Sequence, residues 1–594
     1  MDFVSNMSNQ IQLSDYVASF LAKHTSHAFV GQGSSVVHLL NSIDKRNDIH
    51  NIPSQNEQAG SLAADAYSRV SGHMGVSIAT SGPGLLNLLQ GMGCSYFDSI
   101  PSLFISGAVV TSQLRNNSKI RQVGFQEMEV VDIVKPLSKY AVLIKDKNKI
   151  RYELEKAIYY AKEGRPGPAV IDLPDDLQRD FIDPEKLEGF VPPKLEKNIN
   201  DEDFNKLLKL IVEAKAPIII YGNGIKVAKA ENDLDIFLKK TNIPFAPTWA
   251  TVDLYDDQEK NLVGIFGVAA SRYGNFAIQS SDLLVCLGTR LNTQLTGSRL
   301  ETFAPNAKKI IVDIDEAEFI KDNGLKIDIA FNTCVKSFLK KINNSQLITD
   351  NNVLGKWSNW ISDIKKKFPT CKQEYYDEIE HVNPYVFFET LSKVCTNDDI
   401  IMPDTSANLI WAYQSFKPKK GQQIFTALNH SPMGYSVAAA IGAYYASASK
   451  NKRVIATIGD GSFAMNVQEL ETISHNNIPI KIFIINNEGY ALIKGTQELF
   501  LEKNYVGVDK NSGLGIPDFK KIAYSYDIKY VAISNHTDLD NKLEEILNCE
   551  VPIIVDVIVN PDQRVNPKLE FGKPIHDLSP TLSKEELNNN IYKY

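Results

Sequence analysis

Apolar residues along this chain come in short β-branched runs separated by stretches of helical spacing, the alternation that builds parallel α/β sheets. Val454-Ile455-Ala456-Thr457-Ile458 is the clearest run and predicts a buried strand. It ends at Gly459-Asp460-Gly461-Ser462, where small residues let a backbone come close to a ligand. Met465, Val467, Leu470 and Ile473 follow at helical spacing, and a second apolar run, Ile480 to Ile485, leads into Asn486-Asn487. Two parallel strands joined by a helix predict Asp460 and Asn487 at neighbouring strand ends, the edge where open α/β sheets bind ligands.

The same alternation runs through the rest of the chain and predicts an α/β protein of three doubly wound parallel-sheet domains. Residues 10–180 form the first. Leu13, Val17, Phe20 and Leu21 mark an amphipathic helix, and His27 to Val30 a strand that turns at Gly31-Gln32-Gly33-Ser34. Gln55 to Arg69 predicts a tightly packed helix with Glu57 at its start. Gly75 to Thr80 predicts a strand, Ser81-Gly82-Pro83-Gly84 a turn, and Leu85 to Tyr96 a helix. Residues 181–200, rich in Pro, Glu and Lys, read as a linker. A second domain spans 201–345, with the strand Pro217 to Tyr221 turning at Gly222-Asn223-Gly224. Residues 346–380 read as a linker helix anchored by Trp357 and Trp360, residues 380–565 as a third domain, and 566–594 as an extended tail, either a lid or a mobile end.

Composition narrows the field. A length of 594 residues suits about three domains, and an apolar share of 43% allows several large cores. A net charge of −8 with scattered Lys and Arg argues against nucleic-acid binding. Six widely spaced cysteines without a C-x-x-C read as reduced, mostly buried thiols of a cytoplasmic protein. MDFVSNMSNQIQ carries no secretory pattern, and no apolar run approaches membrane-spanning length.

Asp460 offers a carboxylate, Asn487 an amide oxygen and Gly489 a backbone carbonyl. Such an oxygen-only, incomplete ligand set suits Mg²⁺, which fills its octahedron with phosphate oxygens and water. Gly461 and Ser462 would donate N–H and hydroxyl groups to those phosphates near a helix N-terminus. A lone GDG is too short to separate this from an ordinary Asp turn. GDGS with N-x-x-E-L close behind, and NN after a second strand, is far more specific.

That constellation resembles the diphosphate-binding motif of thiamine-diphosphate enzymes, most closely the large-catalytic-subunit type of the acetohydroxyacid synthase (acetolactate synthase) branch. The resemblance runs from about Leu13 to Pro567. It implies a pyrimidine-binding first domain, a central domain and a diphosphate-binding third domain, with thiamine diphosphate and Mg²⁺ as cofactors. Glu57, alone an ordinary helix-capping acid, lies in E-Q-x-G-x-x-A-x-x-x-Y-x-R. That segment is similar to the one supplying the family's activating glutamate, which shares a proton with the cofactor's pyrimidine ring. The resemblance also implies Ser81, Gly82, Pro83 and Gly84 as the wall beside that ring, and Gln126 as a catalytic-site glutamine reaching across the subunit boundary. Ser406, Asn408, Gly459, Gly461 and Ser462 join the cofactor-binding set. Met433, otherwise plain core packing, takes the place of the apolar wedge between the cofactor's two rings. The central domain looks like one that holds FAD in this branch, with Gly222, Gly224, Arg290 and Asp313 as its contacts, although a lone G-x-G is weak evidence by itself. Because the family's site lies between chains, a homodimer or homotetramer is implied.

Three positions depart from the family pattern, and all bear on the second substrate. The arginine that holds the acceptor's carboxylate is Gln294, the tryptophan lining its pocket is Thr496, and a lysine is Asp175; Arg299 lies close enough in sequence to substitute. Glutamine cannot supply the charged fork that a carboxylate selects. Gly31, Gln294 and Thr496 are the substrate-pocket candidates. Pyruvate is the expected donor, and the acceptor either a second pyruvate or a nucleotide-linked keto-sugar. A simple decarboxylase, a flavin-linked pyruvate oxidase and a non-catalytic binding protein of the same fold remain alternatives.

Overall fold

β-branched residues crowd at χ1 in a helix and pack well on a pleated surface, and here the apolar runs form the central strands of three all-parallel sheets. The computed structural model describes residues 9–116, 119–193, 198–320, 324–447 and 452–594. The leader reading of residues 1–8 and the linker reading of 194–197 lie outside them.

The N-terminal sheet has the order His50–Pro53, His27–Val30, Gly75–Ala79, Ser102–Ala108, Pro168–Pro174, Tyr140–Leu143. The C-terminal sheet repeats that topology with Gln423–Ile424, Ile400–Pro403, Val454–Gly459, Lys481–Asn486, Ile553–Ile558 and Lys529–Ile533. Five strands form the central sheet: Phe245–Pro247, Pro217–Tyr221, Leu283–Leu287, Lys308–Asp313 and Ile329–Asn332. In each, the chain starts inside the sheet, moves one strand outward, then crosses back and proceeds the other way. The reversal leaves a crevice at the carboxyl ends of two neighbouring strands. Those ends are Val30 and Ala79 in the first sheet, Tyr221 and Leu287 in the second, and Pro403 and Gly459 in the third.

Helix Glu57–Ser71 of the first unit packs along helix Tyr435–Ser447 of the third. The two backbones nearly touch: a Cβ on Gly442 would lie 1.9 Å from the Ala63 carbonyl oxygen. Leu62, Ala66, Val437 and Ile441 belong to the shared apolar core at this crossing.

Three expectations change. The segment after Asp460 is not one helix but a short turn, Asp460–Phe463, a 3₁₀ turn Ala464–Asn466, and helix Glu469–His475. Leu470 and Ile473 are buried, but Met465 is exposed, because Asn466 Nδ2 donates to the Gly434 carbonyl and holds the break. The 346–380 stretch is more than a linker. Helix Asn351–Lys367 buries Trp357 completely, and its indole donates to the Pro217 carbonyl at 3.0 Å. The tail is strapped down rather than free. Lys568–Leu569 pairs with Leu578–Ser579, Arg272 donates to the Pro580 carbonyl at 2.8 Å, and Tyr592 packs against Trp357 and Trp360. Among the described residues no helix is long and apolar enough to cross a membrane.

Candidate active site

A cavity of about 1240 Å³ opens where the central and C-terminal crevices face each other, closed on one side by the tail. Asp460 leaves its strand end only 1% exposed, and three backbone N–H groups hold its carboxylate. Gly461 donates to Oδ1 at 2.6 Å, while Asn487 and Gly489 donate to Oδ2 at 3.1 and 2.9 Å. Burial pushes this carboxyl up to about 6, against the pull of those donors. Gly489 sits at φ 153°, where a Cβ would lie 2.2 Å from the Val508 carbonyl, so the loop that aligns Asn487 requires glycine.

Facing Asp460 across the crevice, helix Ser406–Ser415 presents its N-terminus to the cavity, with Ser406 strained at φ 69°. Asn408 is buried beside it. Its Nδ2 donates to the Asp404 and Thr457 carbonyls, while Oδ1 has no partner. Met433 is half-buried on the cavity wall rather than in the core. The Ser462 hydroxyl does not point a proton at the cavity as expected: it donates to Asp404 at 2.5 Å and accepts from Gly434 N–H at 2.9 Å. Fully buried Asp404 also accepts from Ser436 N–H at 2.8 Å, so one carboxylate sets the Met433 turn and the diphosphate loop together.

These groups fit a diphosphate and a divalent ion. Helix N-terminal N–H groups and the orphaned Asn408 oxygen offer donors and an acceptor to a polar ligand. Among the described residues no three His, Cys, Asp or Glu side chains converge. A cation here therefore relies on Asp460, amide and carbonyl oxygens, and oxygens its ligand brings, which suits Mg²⁺.

Glu57 gathers a second group at the first sheet's crevice. Asn87 donates to its Oε2 at 2.9 Å. Gly31, expected at the substrate pocket, lies directly beneath Glu57: a Cβ there would be 2.3 Å from Glu57 Cγ. Ser81 N–H donates to Ser35 Oγ at 3.0 Å, Pro83 and Gly84 begin the next helix, and Gln126, at φ 64°, lies against Gly82. None of this group lines the cavity that holds Asp460 in the same chain.

Two buried acids tie the groups together. Glu469, in the helix after the diphosphate loop, accepts from Asn56 N–H at 3.0 Å and Gln55 N–H at 3.3 Å, immediately before Glu57. Asp98 accepts from Arg69 at 2.9 Å and from Leu428 and Asn429 N–H, and Asn429 in turn accepts from Arg290 at 2.6 Å. Glu469 is the glutamate of the N-x-x-E-L pattern, but only the packing gives it and Asp404 their roles, and nothing local marked Asp98.

In the central crevice Gly224, Arg290 and Asp313 line the cavity. Gly222 does not; it makes room for the facing loop, since a Cβ would lie 2.5 Å from the Gly288 carbonyl. Burial lowers the Arg290 pKa and raises that of Asp313. Gln294 and Thr496 both line the cavity, exposed, with the Thr496 hydroxyl tied to the Leu492 carbonyl. Arg299 is not the substitute cation: it pairs with Glu301 at 2.9 Å and is not part of the lining. Asp175 pairs with Arg179.

Residues 11–133 match the N-terminal TPP binding domain of thiamine pyrophosphate enzymes, residues 204–342 their central domain, and residues 404–557 their C-terminal TPP binding domain. Acetolactate synthase large subunit of Cyanidium caldarium is 30% identical over 574 residues, covering 93% of this chain and 94% of that protein. The chain belongs to the thiamine pyrophosphate enzymes. Relatives within that family include acetolactate synthases. The Nicotiana tabacum chloroplastic acetolactate synthase 1 is 30% identical, covering 93% of this chain and 82% of that protein. The Arabidopsis thaliana chloroplastic acetolactate synthase is 29% identical over the same shares. In this thiamine pyrophosphate enzyme the C-terminal match spans Asp404, Asp460 and Asn487, and the N-terminal match spans Glu57 and Gln126.

Proposed function

We propose that this enzyme is a carboligase that decarboxylates pyruvate and transfers the two-carbon unit to a second carbonyl, working as a homodimer or a tetramer of such dimers. The observation that carries the reading is the division of the site. Asp460, Asn487 and a helix N-terminus share one cavity, while Glu57 stands outside it in the same chain. Two chains packed reciprocally would bring Glu57 of one to the cavity of the other. Exposed Val37, Leu86 and Phe125, close in sequence to residues of the Glu57 group, suit such a covered face.

Thiamine diphosphate, when bound, supplies a nucleophilic carbon and an electron sink. Asp460, Asn487 and the Gly489 carbonyl would hold Mg²⁺, and backbone N–H groups at Gly461 and at the start of helix Ser406–Ser415 would hold the diphosphate. Met433 would support the bend between the rings. Glu57, with Oε2 engaged by Asn87, would hold a proton at Oε1 for the pyrimidine nitrogen. FAD is assigned to the arm past Gly224, Arg290 and Asp313. The cavity exceeds the roughly 300–1,000 Å³ that a single small ligand fills. The acceptor is a second pyruvate or a nucleotide-linked keto-sugar, facing the neutral wall of Gln294 and Thr496.

Mass spectrometry of bound cofactors, with product analysis on pyruvate and candidate acceptors, tests this. Prompt acetolactate from pyruvate alone defeats the sugar acceptor. Acetaldehyde, or acetate with peroxide, as main product defeats carboligation. Glu57→Gln should keep thiamine diphosphate and lose turnover; a fully active variant would overturn the role given to Glu57.

A further inference from the structure

We propose that Lys568, on the C-terminal tail, is the cation that binds the anionic group of the acceptor, an inference that rests on the carboligase reading. Of the cations lining the cavity, Arg69 is bonded to Asp65 and Asp98, Arg165 to Asp315 and Glu318, and Arg290 to Asn429. Lys162 also makes no hydrogen bond or ion pair among the described residues, but it ends helix Ile150–Lys162 of the N-terminal unit, where its charge is felt by His24. Lys568 lines the cavity, and its ammonium makes no hydrogen bond or ion pair among the described residues. Glu570 feels its charge but is bonded to Lys573 at 2.8 Å.

The backbone on both sides of Lys568 is fixed. Gln414 donates to the Pro567 carbonyl at 2.7 Å, and Leu569 N–H donates to the Val268 carbonyl at 2.6 Å. Val268 N–H donates in turn to the Gln294 carbonyl at 2.9 Å. On the other side, a Cβ built on Gly495 would lie 3.6 Å from Lys568 Nζ, and Thr496 is the next residue. The tail thus carries a positive charge to the wall shared by Gln294 and Thr496, neither of which bears a charge. Ile493, Leu499, Phe500 and Phe571, all exposed, line the same cavity and give its mouth an apolar rim. A lysine is a point charge with no fixed fork, so it suits a carboxylate or a phosphate alike.

The test uses full-length enzyme loaded with its cofactors, pyruvate as donor, and two anionic acceptors in separate arms: a second pyruvate, and a nucleoside-diphosphate-linked 4-keto-hexose. Acetaldehyde serves as a neutral acceptor. Lys568→Met should raise KM for the true anionic acceptor on the order of tenfold, about 1.4 kcal/mol, with a much smaller change in kcat. Lys568→Arg should restore most of that KM, and KM for acetaldehyde should barely move in either variant. The arm that responds identifies the anion. Unchanged KM in both anionic arms, or an equal rise for acetaldehyde, overturns the proposal. A wild-type enzyme that decarboxylates pyruvate but ligates neither anionic acceptor also overturns it while leaving the donor reading intact. Failure of decarboxylation itself sinks the carboligase reading beneath it.

Discussion

Asp172 lies outside the candidate site and offers a test of how burial acts on this chain. It sits on the strand Pro168–Pro174, in register with Ser106, 3% exposed, with Oδ1 lacking a partner. Burial pushes its carboxyl up to about 7, with Ser106 pulling weakly the other way. Its ordinary value is near 3.9, so folding raises it. Its contribution to stability is then full below about pH 4 and is lost as pH rises through about 7. Between about pH 5.5 and 7.5, ionisation favours the unfolded chain by roughly 3 kcal/mol and the folded one by roughly 1, a net loss of roughly 2 kcal/mol. That corresponds to a melting shift of about 4–8 °C for a domain of this size. Asp172→Asn keeps the shape and removes the titration. Thermal melts of both proteins at the two pH values should show the variant gaining that margin on the wild type as pH rises. A wild-type-to-variant difference that stays constant across the window would refute the reasoning, whatever the absolute melting temperatures.

Gly442→Ala drives a methyl into the Ala63 carbonyl, a backbone atom that cannot turn aside. It should cost about 1–3 kcal/mol, read as a lowered urea midpoint. Glu469→Gln turns an amide toward the Gln55 or Asn56 N–H and leaves one donor unmet, at about 1–3 kcal/mol. Slower turnover with unchanged diphosphate affinity would place its effect at Glu57, whereas unaltered kinetics would remove Glu469 from that role. Asp460→Ala should weaken magnesium-dependent binding of thiamine diphosphate on the order of a hundredfold, about 2.7 kcal/mol. Titration by tryptophan fluorescence would measure it, and affinity independent of Mg²⁺ in the wild type would count against the metal site.

The hydrophobic pattern determined what lies close in sequence. Val454 to Asn487 could be read directly, because strand, turn and returning strand are set by local periodicity and by glycines. The parallel pairing of Val454–Gly459 with Lys481–Asn486 delivers Asp460 and Asn487 side by side, as that pattern required. The break at Ala464–Asn466 escaped it, because Asn466 bonds Gly434, a residue the helical period does not register. Other partnerships lay beyond it because they join residues from 58 to 413 positions apart. Asp404 against Ser462 exists only once the C-terminal sheet reverses, and Glu469 against Asn56 and Asp98 against Asn429 only once helix crossings bring the first and third units together. The path of the tail belongs to the same class. No periodicity in 566–594 announces that Lys568 ends at the cavity wall; Gln414 and Val268, on elements already folded, decide it by bonding the backbone on either side.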